Sequence, residues 1–293
     1  MNNNRTAWTM LLPAIGMVTI FIIFPFLMSV YFSFTDQRLL VNPNVPTEFI
    51  GGRNYLRLFE DGAFQNAFFR TATFAILVVP LQSAMGLAAA MLINSKLPMR
   101  NAFRTIYFLP TVISMVVVAV IWSSLYQTEG FFNSAVGALS FGTVQPIDWL
   151  NNEYLAMPSL VLLSCWQGFP FQMIIYLAGL QGINKETYEA AQCEGATRWQ
   201  EFVHVTMPGL RNTHILVGMT TTIFAMKLFT QVQLLTQGGP RDVTDTMVRL
   251  IYNTGFKRGE VGKGAAASVI FFVLVLLISY IQRKLVKEER AIS

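Results

Sequence analysis

The sequence predicts an all-α, polytopic membrane protein with six transmembrane helices. Hydrophobic residues make up 53% of its 293 residues and charged residues only 13%, about half the charged share of an ordinary globular chain. The apolar residues form several long runs, and a run of roughly 20 crosses the hydrocarbon core of a bilayer as a helix. One soluble core could not bury so much apolar surface, so we expect a single transmembrane domain over residues 1–293.

The predicted spans are the six apolar runs of helical length. The first is too long for the apolar region of a cleavable signal peptide, and no small-residue cleavage pattern follows it, so we interpret it as an uncleaved span. The six runs cover residues 9–31, 68–93, 103–125, 155–177, 214–235 and 264–284.

The basic residues of the connecting loops predict the orientation. Loop 94–104 carries Lys96, Arg100 and Arg104, whereas loop 126–154 carries no Lys or Arg. Short loops that are rich in Lys and Arg stay in the cytoplasm, so we expect both termini to be cytoplasmic. Loop 236–263 is basic on the predicted outer face, but longer segments cross despite their charge. The tail agrees with a cytoplasmic end through Arg283, Lys284, Lys287 and Arg290.

The net charge of +5 does not indicate a nucleic-acid-binding protein. The basic residues are spread over loops and tail, without the dense clusters that follow a phosphate backbone. Cys165, Cys193, His204 and His214 are the only cysteines and histidines, and none has companions at metal-ligand spacing. We therefore predict membrane lipid around the chain, no metal site and no nucleic-acid partner.

Loop 181–213 is predicted to be a folded helix–turn–helix. Asn184 is a favourable N-cap for a short helix that runs to about residue 193, and Gly195 supplies a C-terminal break. Thr197 can cap a second short helix, which Pro208 is expected to end. This shape suits a docking element, although a surface loop that merely links two spans fits it about equally.

The residues of this loop resemble a known family motif. Glu189-Ala190-Ala191, then Gly195 and Pro208, resembles the EAA loop of binding-protein-dependent ABC permeases, and Glu194-Gly195-Ala196 fits the acidic-Gly-Ala element of the carbohydrate branch. In that family the loop is the coupling helix, which sits in a cleft of the ATPase subunit. The resemblance implies that the ATPase-coupling residues are Glu189, Ala190, Ala191, Glu194, Gly195 and Ala196.

The resemblance extends over nearly the whole chain and includes a departure. Segment 50–55 resembles the family element before the second span, segment 108–110 the opening of the third span, and segment 235–240 the element after the fifth. The pattern is similar to the first permease partner of maltose, lactose and glycerol-phosphate importers. Thr213-His214 stands where the family often has another proline, which affects only the expected start of the fifth span.

The resemblance implies a type I ABC importer permease fold with a cytoplasmic coupling loop, in a bacterial or archaeal cytoplasmic (inner) membrane. Its implied partners are a homologous second permease, two ATPase subunits and an extracytoplasmic solute-binding protein. The chain itself is not expected to be an enzyme, because its nearest match to a P-loop, Gly262-Lys263-Gly264, lacks the first Gly and the final Ser or Thr. ATP and Mg²⁺ would bind the partner ATPase, and this chain would carry no cofactor.

Two other classes of protein fit six spans less well. An ion-coupled secondary transporter or channel usually needs acidic residues or broken-helix symmetry within its spans, and no Asp or Glu lies inside a predicted span. A membrane enzyme would need a nucleophile, base or metal set there, and no such set is visible. The secondary transporter or channel remains the alternative.

The fourth predicted span contains candidate solute contacts. Ser164, Gln167 and Gly168 are spaced i, i+3 and i+4, so they share one face of a helix. Polar residues inside spans tend to face the bundle interior, where they could bind sugar hydroxyls, with Trp166 or Phe169 nearby for stacking. Hydrogen bonds between packed helices are the other interpretation. The family resemblance favours the solute pathway, because in that family the contacts with sugar come from this span and the fifth.

Lys227 is the only Lys or Arg well inside a predicted span. Phe224 and Gln231 lie on similar faces of the same span, and we assign all three to the substrate pathway. A buried cation needs a partner, which could be another subunit or the solute, or the side chain could snorkel outward. A carboxylated or phosphorylated sugar becomes possible if Lys227 meets the solute.

Overall fold

The computed structural model describes residues 3–40, 47–95 and 100–290. Lys96 and the proline-containing stretch 42–46 lie outside the described residues. The described chain is nearly all helical, with one isolated antiparallel bridge between Thr35 and Phe49.

By its internal contacts the chain forms two compact units. The first combines Met1–Asn66 with Met247–Leu276, and the second combines Ala67–Thr246 with Leu277–Ser293. The assignment of one transmembrane domain to residues 1–293 stays a prediction.

The N-terminal half contains eight described helices, and a π-helical segment at Thr19–Ile23 joins the first two. Their bounds are α1 Asn3–Val18, α2 Phe24–Ser33, α3 Arg53–Phe59, α4 Gly62–Asn94, α5 Arg100–Val112, α6 Met115–Leu125, α7 Phe131–Leu139 and α8 Ala156–Gln181.

The C-terminal half contains seven described helices and two further π-helical segments, Phe202–Thr206 and Asn253–Lys257. The helices are α9 Lys185–Cys193, α10 Arg198–Glu201, α11 Met207–Gly209, α12 Arg211–Met226, α13 Thr230–Leu235, α14 Met247–Tyr252 and α15 Val261–Arg290.

Within the described residues, five helical stretches are long and apolar enough to cross a membrane. A sixth crossing exists if α5 and α6, which are bent by 102° at a short break, together form one span. The stretches that match the other five predicted spans are Trp8–Ser33, Gly62–Asn94, Ala156–Gln181, Arg211–Leu235 and Val261–Lys284.

The third span is therefore not the straight helix expected over residues 103–125. The break falls between Val112 and Met115, where Ser114 has an extended backbone (φ −56°, ψ 137°). Pro110, one turn earlier, lacks a backbone N–H and crowds the preceding turn. This weakens the helix before the bend.

In the first unit, Asn54 holds the chain that leaves α2. Its buried amide nitrogen Nδ2 donates to the carbonyls of Ser33 (3.0 Å) and Thr35 (2.8 Å). The N terminus of α15 packs against the same segment, because Gly262 N donates to the carbonyl of Gln37 at 2.9 Å. The sequence Ile50–Tyr55, which resembles a family element, thus contains a residue that organises this loop.

In the second unit, α8 is the most enclosed of the candidate spans. In its most apolar window 61% of residues are buried, against none in Trp8–Ser33. One apolar cluster around α8 contains Met173, Tyr176 and Leu177 and also includes Ala90 of α4 and Val217 of α12. A second joins Leu163 to Trp122 and Tyr126. Since α8 is buried against its neighbours, the polar residues on it face protein or a cavity.

Candidate functional site

A cavity of about 440 Å³ in the second unit is lined by residues of α4, α5, α8 and α12 and of the segment that follows α12. Although the predicted pathway residues come from two separate spans, the cavity brings all six together. They are Ser164, Gln167, Gly168, Phe224, Lys227 and Gln231.

Side chains from two other helices complete the wall formed by α8. Gln82 Nε2 on α4 donates to the carbonyl of Ser164 at 3.0 Å, and Thr111 Oγ1 on α5 donates to that of Gln167 at 3.4 Å. A Cβ atom at Gly168 would overlap Gln82 Nε2. Gly168 therefore leaves room for the Gln82 side chain between the two helices. Gln82 and Thr111 also line the cavity, and no pattern in the sequence pointed to either residue.

Two buried oxygen atoms of the cavity residues have no hydrogen-bond partner within the described chain. They are Ser164 Oγ and Gln172 Oε1. The amide nitrogen of Gln172 is already used, because Nε2 donates to Thr221 Oγ1 at 2.9 Å. An unpaired buried polar atom costs about 1–3 kcal/mol, so both atoms reduce the stability of the isolated subunit.

The fifth span is not the continuous helix that was expected over residues 214–235. Helix α12 ends at Met226 and α13 begins at Thr230, and Lys227 lies in the break between them. No Gly or Pro occurs at this break, so the sequence alone did not show it. Instead the buried Thr246 donates through Oγ1 to the carbonyl of Leu228 at 2.8 Å. This bond supplies the partner that a continuous helix would have provided.

Three aromatic residues, Phe74, Phe171 and Phe224, line the cavity. The rings of Phe171 and Phe224 form an edge-to-face pair with centroids 5.7 Å apart. Trp166 and Phe169, suggested above for stacking, do not line the cavity: Trp166 packs against Trp122 at 5.6 Å, and the buried Phe169 has a ring contact with Tyr107.

Loop 181–213 forms two short helices with the expected caps. Asn184 Oδ1 accepts from Glu186 N at 3.1 Å at the start of α9, and Thr197 forms a capping box with Gln200 at the start of α10. Between them Gly195 has φ +79°, a left-handed conformation that glycine adopts without steric cost. The expected end at Pro208 is wrong by two residues. Pro208 lies inside α11, and the break falls at Leu210.

The surface of this loop has the features of an unpartnered contact site. Ala191, Glu194, Gly195 and Ala196 line a groove of about 300 Å³, while Glu189 and Ala190 lie exposed outside it. Trp199 is 71% exposed, and exposed large aromatic residues are typical of interfaces. Helix α9 is tied to the π-helical segment that follows α10, since Tyr188 and Thr206 share a 2.9 Å hydrogen bond between their hydroxyls.

Comparison with known proteins identifies relatives over almost the whole chain. Residues 82–290 match the sequence profile of the family described as the binding-protein-dependent transport system inner membrane component. A probable ABC transporter permease protein, y4oQ of Sinorhizobium fredii, is 36% identical over 92% of this chain and 85% of its own length. The lactose transport system permease protein LacF of Rhizobium radiobacter is 32% identical over 97% and 94%.

A solved structure has the same fold. It is a chain of a bacterial ABC transporter involved in the import of the acidic polysaccharide alginate. It matches with a TM-score of 0.84 and 26% sequence identity, over 97% of this chain and 96% of that one.

Proposed function

We infer the function from a premise that these comparisons show: the chain belongs to the binding-protein-dependent transport system inner membrane components and is a permease subunit of an ABC importer. We propose that it moves a sugar or sugar-like solute through the cavity between α4, α8 and α12, and that it does so by alternating access. One relative is named for the transport of a neutral sugar, lactose, and the chain of similar structure belongs to a transporter involved in the import of an acidic polysaccharide, alginate.

The observation that carries the proposal is the composition of the cavity. Hydroxyl and amide groups from α4, α5, α8 and the segment after α12 face one space. The Phe171–Phe224 pair adds an aromatic surface. Sugars present both hydroxyl groups and apolar C–H faces, so this mixture of polar and aromatic groups fits them.

The coupling loop is connected directly to the cavity walls. Loop 181–213 begins at the end of α8 and ends at the start of α12, and both helices contribute cavity residues. A displacement of the loop would therefore move two walls of the cavity. This connection supports a mechanism in which ATP-driven closure of partner subunits switches access to the site from one side of the membrane to the other.

The proposed assembly contains this chain, a homologous second permease, two ATPase subunits and an extracytoplasmic solute-binding protein. The ATPases would dock on loop 181–213 and would hold ATP and Mg²⁺, so this chain needs no nucleotide site of its own. This arrangement puts the loop and both termini in the cytoplasm. The exposed Trp199 and the groove beside Gly195 support the docking position.

The competing function is that of an ion-coupled secondary transporter or channel. Among the described residues that line the cavity there is no Asp or Glu, which argues against proton coupling at this site. Purification from the native membrane in mild detergent, with mass spectrometry of the proteins that accompany the chain, tests the two classes. We expect an ATPase and a second six-span protein. A stable preparation of the chain that contains no ATPase in several detergents would favour the secondary transporter.

The coupling role is tested by Gly195→Leu with Gly142→Leu as its control. Both glycines have positive φ, +79° and +77°, and open space where a Cβ would stand, so backbone strain is similar at the two positions. Only Gly195 lies on loop 181–213. With the importer reconstituted in liposomes, we expect Gly195→Leu to abolish ATP-driven uptake while the binding protein still delivers solute. Normal uptake by Gly195→Leu in an intact assembly would rule out the coupling role.

A further inference from the structure

The cavity contains a cation that has no anionic partner. Lys227 is the only charged side chain among the described residues that line it. Its ammonium group has no ion pair or hydrogen bond within the described part of the chain. The Lys227 side chain is exposed in the isolated subunit, so its charge is available to a ligand in the cavity, and charged residues inside membrane spans commonly mark solute pathways.

The other polar side chains of the cavity suit the hydroxyl groups of a sugar. Gln82, Thr111, Gln167 and Gln231 line it together with Lys227. A ligand that pairs with these side chains and with Lys227 carries several hydroxyl groups and a negative charge.

We propose that the transported solute is a sugar that bears a single carboxylate, a uronate-type saccharide, with the carboxylate on Lys227. This inference rests on the proposed function and narrows its substrate. One ammonium balances the single charge of a carboxylate, whereas a phosphate monoester carries about −1.5 to −2 at neutral pH. No Arg is among the described lining residues, and the bidentate fork of Arg is typical of phosphate recognition.

A purely structural role for Lys227 is the alternative. Lys227 directly follows the last residue of α12. The partial negative charge of a helix C terminus favours a cation at this position. That role would make the Lys227 charge matter for stability but not for the choice of solute. The experiment therefore has to measure selectivity between solutes.

Three disaccharides that differ only at one C6 position separate these possibilities. One is neutral, one has C6 oxidised to a carboxylate, and one carries a 6-phosphate. ATP-driven uptake of each is measured in liposomes that hold the complete importer with its binding protein. We expect uptake of the carboxylated sugar to exceed that of the other two clearly.

The variants test whether Lys227 causes this selectivity. Lys227→Met should reduce uptake of the carboxylated sugar by about 10- to 100-fold, the range for a hydrogen bond to a charged group, while Lys227→Arg retains most of it. Lys257→Met, which removes an exposed cation outside the cavity, should leave uptake unchanged. The melting temperatures of all variants are measured to check that reduced uptake does not result from unfolding.

The outcomes are distinct. Preference for the neutral or the phosphorylated sugar, or unchanged uptake of the carboxylated sugar by Lys227→Met, would overturn the carboxylate assignment and leave the importer function intact. Failure to import any of the three sugars, in an assembly that hydrolyses ATP and forms with its binding protein, would overturn the proposed sugar import itself.

Discussion

At the scale of single residues, Gly86 allows α4 and α8 to approach each other closely. A Cβ atom at Gly86 would lie 2.7 Å from Gln172 Cβ and 3.1 Å from Met173 N, and neither atom can move without shifting the helix. Since Gln172 lines the cavity, this contact also fixes the position of one of its walls. At Gly168, by contrast, the atoms nearest to a Cβ would be those of the Gln82 side-chain amide.

We expect Gly86→Ala to destabilise the protein by about 1–3 kcal/mol, the usual cost of overpacking a closely packed contact. Thermal unfolding of the purified chain in detergent measures it. The control is Gly137→Ala in α7, where a Cβ would have no neighbour within 4 Å and where Ala favours the helix. Equal melting temperatures for the two variants would contradict the close approach.

In the first unit, a partly buried ion pair joins the start of α4 to α15. Lys263 Nζ lies 2.8 Å from Asp61 Oδ2. The hydrogen bond from Lys263 holds the pKa of the Asp61 carboxyl below its usual 3.8, although burial acts in the opposite direction. Because the pKa is lower in the folded state, the pair stabilises the fold above the unfolded pKa, and this contribution is lost as the pH falls through the folded pKa.

We expect wild-type protein to lose more stability than Asp61→Asn when the pH is lowered from 7 to 3. At pH 7 the free energy of unfolding of the wild type should exceed that of Asp61→Asn by up to about 1 kcal/mol, as for other partly exposed pairs. Melting temperatures of both proteins across this range provide the measurement. Parallel pH profiles for the two proteins would show that the pair does not stabilise the fold.

At the scale of elements, the break between α12 and α13 determines how the cavity is built. A continuous helix would hold Lys227 in a regular turn, with the neighbouring carbonyls paired inside the helix. In the structure the freed carbonyl of Leu228 is paired instead by the fully buried Thr246. A side chain that is distant in sequence therefore stabilises the irregular backbone that carries the cation.

We expect Thr246→Val to cost about 1–3 kcal/mol, because it leaves a buried carbonyl without its donor, and to lower solute uptake by loosening the break. Thr246→Ser keeps the hydroxyl and should behave nearly as the wild type. Thr73→Val on α4 removes a hydroxyl that bonds within its own helix on an exposed face, so it should have little effect. Melting temperature and uptake are measured together, and wild-type values for Thr246→Val would refute this role of Thr246.

At the scale of the whole molecule, the number of crossings decides which parts of the chain share a side of the membrane. If the bent pair α5–α6 crosses, four spans separate the N terminus from loop 181–213, and both lie on the same side. If the pair re-enters on one side, only three spans separate them, and they lie on opposite sides. The natural cysteines offer a direct probe, because Cys193 on the loop is exposed and Cys165 in α8 is buried.

We expect a membrane-impermeant maleimide to label Cys193 in inside-out vesicles and not in intact cells, and to leave Cys165 unlabelled in both. A reporter fused to the N terminus should be found on the same side as Cys193. Labelling of Cys193 from outside would contradict the cytoplasmic loop, and a reporter on the opposite side would make the bent pair re-entrant. Protection of Cys193 by bound ATPase would support docking on the loop.

The helices, the caps of loop 181–213 and the polar face of α8 were predictable from the sequence, because each depends on residues within a few turns of one another. Apolar runs of bilayer length define spans, Asn184 and Thr197 cap helices through neighbouring backbone groups, and i, i+3, i+4 spacing places Ser164, Gln167 and Gly168 on one face. These local rules operate without knowledge of the rest of the fold.

Only the tertiary structure decided what surrounds that face. Gln82 and Thr111 reach α8 across 82 and 56 residues of chain, and Thr246 stabilises a break that no local residue signals. The close approach of α4 to α8 at Gly86 likewise depends on which helix happens to lie opposite. Local patterns were therefore enough to predict the spans and the candidate residues, whereas packing between distant segments brings those residues together in one cavity around Lys227.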